Sequence, residues 1–155
     1  MKTKDAKITG LPGCETIGVH PILRVYFGYC LTKAALKHRL LLTERLSKFK
    51  LITPQLGIMK LLEVLGPTSQ ISLGQEMHID KASMVKFIDG LEQQKYVRRT
   101  TDTKDRRIKL VELTAKGLKD LKTLATIRQT AEDDFLAPLS DKEKTQLREL
   151  IAKLI

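Results

Sequence analysis

The chain lacks tryptophan, and its aromatic content is only 5%. Flat rings on which unstacked bases could rest are therefore scarce, which argues against a single-strand binding platform. Cysteine is nearly absent as well. Cys14 and Cys30 are the two cysteines, too few for a disulfide framework and too oddly placed for a zinc site. The three histidines, His20, His38 and His78, show no metal-ligand spacing, so neither a metal nor another cofactor is expected. No apolar run approaches the roughly 20 residues of a membrane-spanning helix. Residues 1–15 lack the apolar centre of a signal peptide, so a cytoplasmic protein is expected. The nine glycines are scattered at turns and caps. No phosphate-cradling loop, nucleophile–base pair or carboxylate constellation stands out, which argues against an enzyme.

What the chain does have is positive charge. Among 155 residues, 28 are Lys or Arg and 18 are Asp or Glu, giving a formal net charge of +10. An anionic partner follows from this balance, and charge alone leaves open nucleic acid, an acidic membrane surface or a solvated lysine-rich exterior. A hydrophobic share of 42% suits a soluble protein, and the length suits one domain with a real core.

The most informative stretch is residues 71–117. Asp80 is a good helix N-cap, because its carboxylate can accept from the free amides of the next turn. Met84, Phe87, Ile88 and Leu91 then recur with the spacing of one buried helix face. The opposite face carries Lys81, Ala82, Ser83, Val85, Lys86, Asp89 and Gly90, mostly short or basic side chains able to approach a polyanion. Two β-type runs follow, Val97–Thr101 and Ile108–Leu113, separated by the charged, turn-forming residues 102–107. That pattern predicts a hairpin. A short helix over 72–77 precedes Asp80, so a helix–turn–helix followed by a basic wing is expected.

At these residues the chain resembles the DNA-binding domain of the multiple-antibiotic-resistance regulator (MarR) family of bacterial transcription factors. The residues that carry the resemblance are Asp80 at the helix start, Leu91-Glu92 near its end, and Val97-Arg98-Arg99 in the first strand. Asp102-Thr103-Lys104-Asp105-Arg106-Arg107 at the tip and Leu113-Thr114-Ala115-Lys116-Gly117 after the hairpin complete it. Thr103 replaces the family's common proline, which a turn tolerates. Lys95 stands where a glycine usually precedes the strand, which implies a non-glycine residue in a turn conformation or a different turn.

The flanking segments fit the same plan. Residues 1–18 read as an irregular lead-in. A wide apolar face runs over about 21–49, with Pro21 in the first turn. Thr53 as N-cap and Pro54 at the first helical position open a helix that Gly66-Pro67 ends. Thr114 caps a helix to about Leu136, and Ser140–Glu143 is a capping box for a last helix striped with Leu147, Leu150, Ile151 and Leu154. The expected fold is mainly α with a small β-hairpin wing. In it, a winged helix-turn-helix core over about 53–114 lies between dimerisation helices at about 19–49 and 118–155, within one domain spanning 1–155.

The resemblance implies a homodimer on double-stranded DNA, a repressor on a pseudo-palindromic operator released by a small aromatic or anionic effector. Lys81 and Lys86 can reach phosphates or guanine acceptors, Ser83 can bond several bases, and Val85 can meet a thymine methyl, with Ala82 on the same face. The alternative for this face is plain solvation. By resemblance Arg107 enters the minor groove and Asp105 pairs with its guanidinium to hold it in place, the alternative being a plain salt bridge within the wing. Arg106 and Lys104 would add backbone contacts, with further ones from Lys109 and Arg98 or Arg99. A redox-sensing version using Cys14 or Cys30 and a winged-helix protein-interaction module are the competing readings.

Overall fold

The structure is a computed structural model that describes residues 20–102, 105 and 107–155. Cys14, Thr103, Lys104 and Arg106 lie outside the described residues. The chain divides into two compact units, one comprising residues up to Leu41 together with Asp134–Ile155, the other Leu42–Asp133. Helices α1 (Phe27–Leu46) and α5 (Ala115–Leu136) contribute to both.

The larger unit holds α2 (Thr53–Leu65), β1 (Thr68–Ser69), α3 (Gln70–Met77), α4 (Lys81–Gln93), β2 (Val97–Thr101) and β3 (Lys109–Leu113). Its core is aliphatic. Ile58, Met59, Leu73, Ile88, Leu91 and Leu124 lose essentially all solvent contact, as the periodicity of α2 and α4 requires. The strands form an antiparallel sheet in the order β1-β3-β2, with Val97 opposite Leu113 and Thr101 opposite Lys109. A two-stranded hairpin was expected. The third strand, β1, pairs Thr68 with Val111 and is too short to leave a periodic trace in the sequence.

Two local expectations need correction. The helix over 21–49 is interrupted: Pro21–Leu23 form a separate 3-10 turn, α1 begins only at Phe27, and Ser47–Phe49 tighten into a second 3-10 turn. Pro21 thus sits in that first turn, where its missing N–H costs nothing. Thr53 is not the cap of α2. Ile52 is the cap residue, because Gln55 reaches back to accept the Ile52 N–H at 3.1 Å. The Thr53 hydroxyl instead meets that of Thr43 at 3.2 Å.

Other caps form as the sequence predicts. Asp80 accepts the Ser83 N–H at 2.9 Å, and Thr114 accepts that of Gly117 at 3.1 Å. Lys95 does adopt a left-handed conformation, with φ 63°.

In the smaller unit, α6 (Asp141–Ala152) starts at the Ser140 capping box, where Glu143 accepts the Ser140 N–H at 2.8 Å. His38 meets Phe135 edge-on with ring centroids 5.4 Å apart. Much of this unit's apolar surface stays uncovered: Val25, Phe27, Leu150, Ile151 and Leu154 are all exposed. Among the described residues, no helix is long and apolar enough to cross a membrane.

Candidate nucleic-acid interface

Helix α4 owes its position to three inward side chains. Met84, Ile88 and Leu91 are buried, which rotates the opposite side outward along the first two turns. Lys81, Ala82 and Lys86 are exposed there, while Ser83 and Val85 are half-buried. The free face is shorter than the sequence alone suggested. Gly90 packs beside Gln55: a Cβ at 90 would come within 2.6 Å of its amide nitrogen. Asp89 is taken up by an arginine of the wing. Only the N-terminal half of α4 is therefore free to enter a groove.

The Asp80 carboxyl at the start of α4 is held below the ordinary carboxylate range, chiefly by the hydrogen bonds from Ser83. An ionised cap is favoured at this end, where the helix dipole is positive.

The wing tip is closed by backbone bonds. The Asp102 N–H donates to the Ile108 carbonyl at 3.0 Å, and the Ile108 N–H to the Asp105 carbonyl at 3.0 Å. Asp105 also accepts the backbone N–H of Arg107 at 2.9 Å. The expected pairing with the Arg107 guanidinium is not among the ion pairs of the described residues; the carboxylate instead holds the backbone from which Arg107 projects, and Arg107 is exposed. The Lys109 ammonium donates to the Thr101 hydroxyl across the hairpin at 2.7 Å.

Arg98 and Arg99 are both engaged in ion pairs. Arg98 pairs with Glu112 on β3 at 2.5 Å. Arg99 spans from β2 to α4, meeting Asp89 at 2.5 Å and also pairing with Glu92. Burial lowers the basicity of Arg99, but its bonds to Asp89 and Glu92 outweigh that and raise it above the usual value. This clamp ties the wing to the recognition helix. Glu92 and Arg99 are both motif residues, so their types were visible in the sequence; that they meet was not.

Arg99→Ala is expected to cost about 1 kcal/mol of stability, discounted for the partial exposure of both carboxylates. It should also lower duplex affinity by loosening the wing. Arg99→Lys should recover little, because an ammonium lacks the planar fork that spans two carboxylates. Denaturant titration beside duplex binding checks both, and wild-type affinity in Arg99→Ala would refute the clamp.

The remaining candidates are dispersed. His20 Nδ1 accepts the Ile22 N–H at 3.4 Å, Lys33 lies over the Tyr29 ring at 5.3 Å, and the Cys30 thiol donates to the Arg24 carbonyl at 3.4 Å. Among the described residues, no cluster of three or more His, Cys, Asp or Glu could hold a metal ion.

A helix–turn–helix with a recognition helix clamped to an antiparallel wing defines a winged helix-turn-helix protein. The MarR family model matches residues 51–109. The HTH-type transcriptional regulator PecS of Dickeya dadantii is 31% identical over 111 residues, covering 70% of this chain and 67% of PecS. A crystal structure of a probable transcriptional regulator from Pseudomonas aeruginosa superposes with a TM-score of 0.79 at 28% identity, covering 86% of this chain and 99% of the other. Two further solved structures share the fold. A mutant MarR from E. coli complexed with operator DNA has a TM-score of 0.77 at 19% identity, covering 88% of this chain and 99% of that one. Bordetella bronchiseptica BpsR, whose DNA binding is regulated by 6-hydroxynicotinic acid, has a TM-score of 0.76 at 22% identity, covering 88% and 97%. The chain belongs to the MarR family of transcription regulators; it is not an enzyme.

Proposed function

We propose that the protein is a cytoplasmic bacterial repressor. It works as a homodimer on a pseudo-palindromic operator, with the whole chain 1–155 as one functional domain. The observation that carries this reading is the pairing of a free, basic N-terminal half of α4 with an exposed Arg107 on a wing clamped to that helix by Arg99. Lys81, Ala82, Ser83, Val85 and Lys86 enter the major groove, which at about 12 Å wide admits a helix. Arg107, set by Asp105, enters the minor groove, with Lys104 and Arg106 on the flanking backbone. The uncovered apolar residues of α1 and α6 become the dimer contact, and two copies address half-sites one helical turn apart. Release by a small aromatic or anionic effector rests on likeness to regulators such as BpsR. It requires that the effector bind two dimer conformations with different affinity.

Titration against the chain's own upstream DNA and a scrambled duplex tests the reading. Selective binding is expected, with affinity falling roughly a thousandfold between about 50 and about 200 mM salt if around six phosphates are neutralised. Equal weak binding to both duplexes would leave a basic interaction module and remove the repressor.

A further inference from the structure

Away from the free half of α4, the larger unit contains an open cavity of about 580 Å³ where the end of α4, the start of α5 and the 47–50 turn converge. That volume lies within the range of small-molecule sites, roughly 300–1,000 Å³. Its lining is basic and polar: Lys48, Lys50 and Lys116 with the amides of Gln93 and Gln94, over the rings of Phe49 and Tyr96. Lys95 lies between Gln94 and Tyr96 in the chain and is exposed. No side-chain ion pair involving Lys48, Lys50, Lys95 or Lys116 is present among the described residues.

The backbone supplies a second, independent observation. Lys50 and Lys95 have φ of 53° and 63°, so two of the three described non-glycine residues with positive φ flank this one cavity. Glycine would occupy a left-handed position without the steric penalty of a Cβ. Lysine at both places adds local strain, and Lys50 is itself part of the cavity lining. Strained positions of this kind gather at ligand sites.

The floor is preorganised as well. The Lys116 ammonium donates to the Gln94 carbonyl at 2.8 Å and lies 4.1 Å from the centroid of the Tyr96 ring. Gln94 Nε2 donates to the Lys50 carbonyl at 2.8 Å. Asp120 is the acidic group that acts on Tyr96, where burial first and then this carboxylate raise the phenol above its usual value.

We propose that this cavity binds a small multivalent anion, a polycarboxylate or a phosphorylated metabolite, through Lys48, Lys50 and Lys116. Several ammonium groups outside any ion pair of the described residues favour an anion of more than one charge over a monocarboxylate. The polar lining disfavours a purely apolar ligand. Because Lys116 holds the carbonyl of Gln94, the C-cap residue of α4, the ligand sits at the junction of recognition helix and wing. The claim concerns binding alone and is independent of operator recognition.

The test is calorimetric titration of the full chain with citrate and with pyrophosphate, at fixed ionic strength and without DNA. Saturable binding of at least one probe at one site per chain is expected. A double variant, Lys48→Gln with Lys50→Gly, should weaken it at least tenfold. Glycine relieves the left-handed strain, so this variant should keep or raise its melting temperature. The control, Lys122→Gln with Lys153→Gln, removes the same charge elsewhere and should leave affinity within twofold. Equal losses in both double variants would show attraction to net charge only and overturn the site. Absence of saturable binding by both probes would overturn it too.

Discussion

Gly117→Ala is expected to destabilise the protein by about 3 kcal/mol, at the upper end of the usual penalty for overpacking. A Cβ at position 117 would lie 2.2 Å from the Tyr96 carbonyl oxygen and 3.1 Å from a methyl of Leu113. The carbonyl cannot swing away cheaply. It accepts the Thr114 N–H at 3.0 Å and the Thr114 hydroxyl at 3.2 Å, and the same hydroxyl caps Gly117. The first turn of α5 therefore seats directly on the backbone that starts β2. Separating them would disturb the wing and the helix cap together. For a chain of this length, about 3 kcal/mol corresponds to a drop of roughly 6–12 °C in melting temperature. Gly28→Ala is the comparison, because nothing lies within 4 Å of a Cβ there. It should be neutral or slightly stabilising, since alanine is the better helix former. Melting both variants by circular dichroism decides the matter, and a Gly117→Ala protein that melts with the wild type would remove the close contact.

The same contact explains why the Leu113–Gly117 motif could be read but not understood from the sequence. Thr114 as a cap was legible because capping is local: one hydroxyl, one amide, three residues apart. Gly117 required Tyr96, twenty-one positions earlier in the numbering, and no periodicity encodes that approach. The apolar faces of α2 and α4 were legible for the first reason, and Asp80 and Ser140 likewise. Strand β1 was hidden because Thr68 and Ser69 become a strand only by pairing with Val111 and Leu110. The free face of α4 was overestimated for a similar reason. Helical spacing placed Asp89 and Gly90 outward, but Arg99 claims one and Gln55 abuts the other. Periodicity gives the direction of a side chain, and the tertiary partner decides whether it stays free. Arg99 shows this most clearly, since by residue type alone it suited phosphate and it bridges two carboxylates of α4 instead.

Arg107→Ala is expected to weaken operator binding between roughly tenfold and a hundredfold while leaving fold and dimer intact. The side chain projects from a tip whose backbone is fixed at Asp102, Asp105 and Ile108, and an exposed residue on a fixed tip contributes little to folding. A narrow minor groove concentrates negative potential, so its loss should fall hardest on A·T-rich sites. Lys86→Ala gives the contrast: if Lys86 meets phosphate, binding weakens evenly across sequences and the salt slope flattens by about one. Asp105→Ala separates positioning from simple attraction by sign. Removing a carboxylate from a basic tip should strengthen DNA binding if charge alone matters. If Asp105 works by holding the Arg107 amide, its loss frees the tip to wander and binding weakens despite the more favourable charge. We expect weakening, and only partial recovery in Asp105→Asn, whose amide oxygen can still accept that N–H but without a charge to strengthen the bond. Anisotropy titrations of the four wing and helix variants on one A·T-rich operator and one G·C-rich derivative read all of these outcomes. Tighter binding by Asp105→Ala would assign the wing a purely electrostatic part.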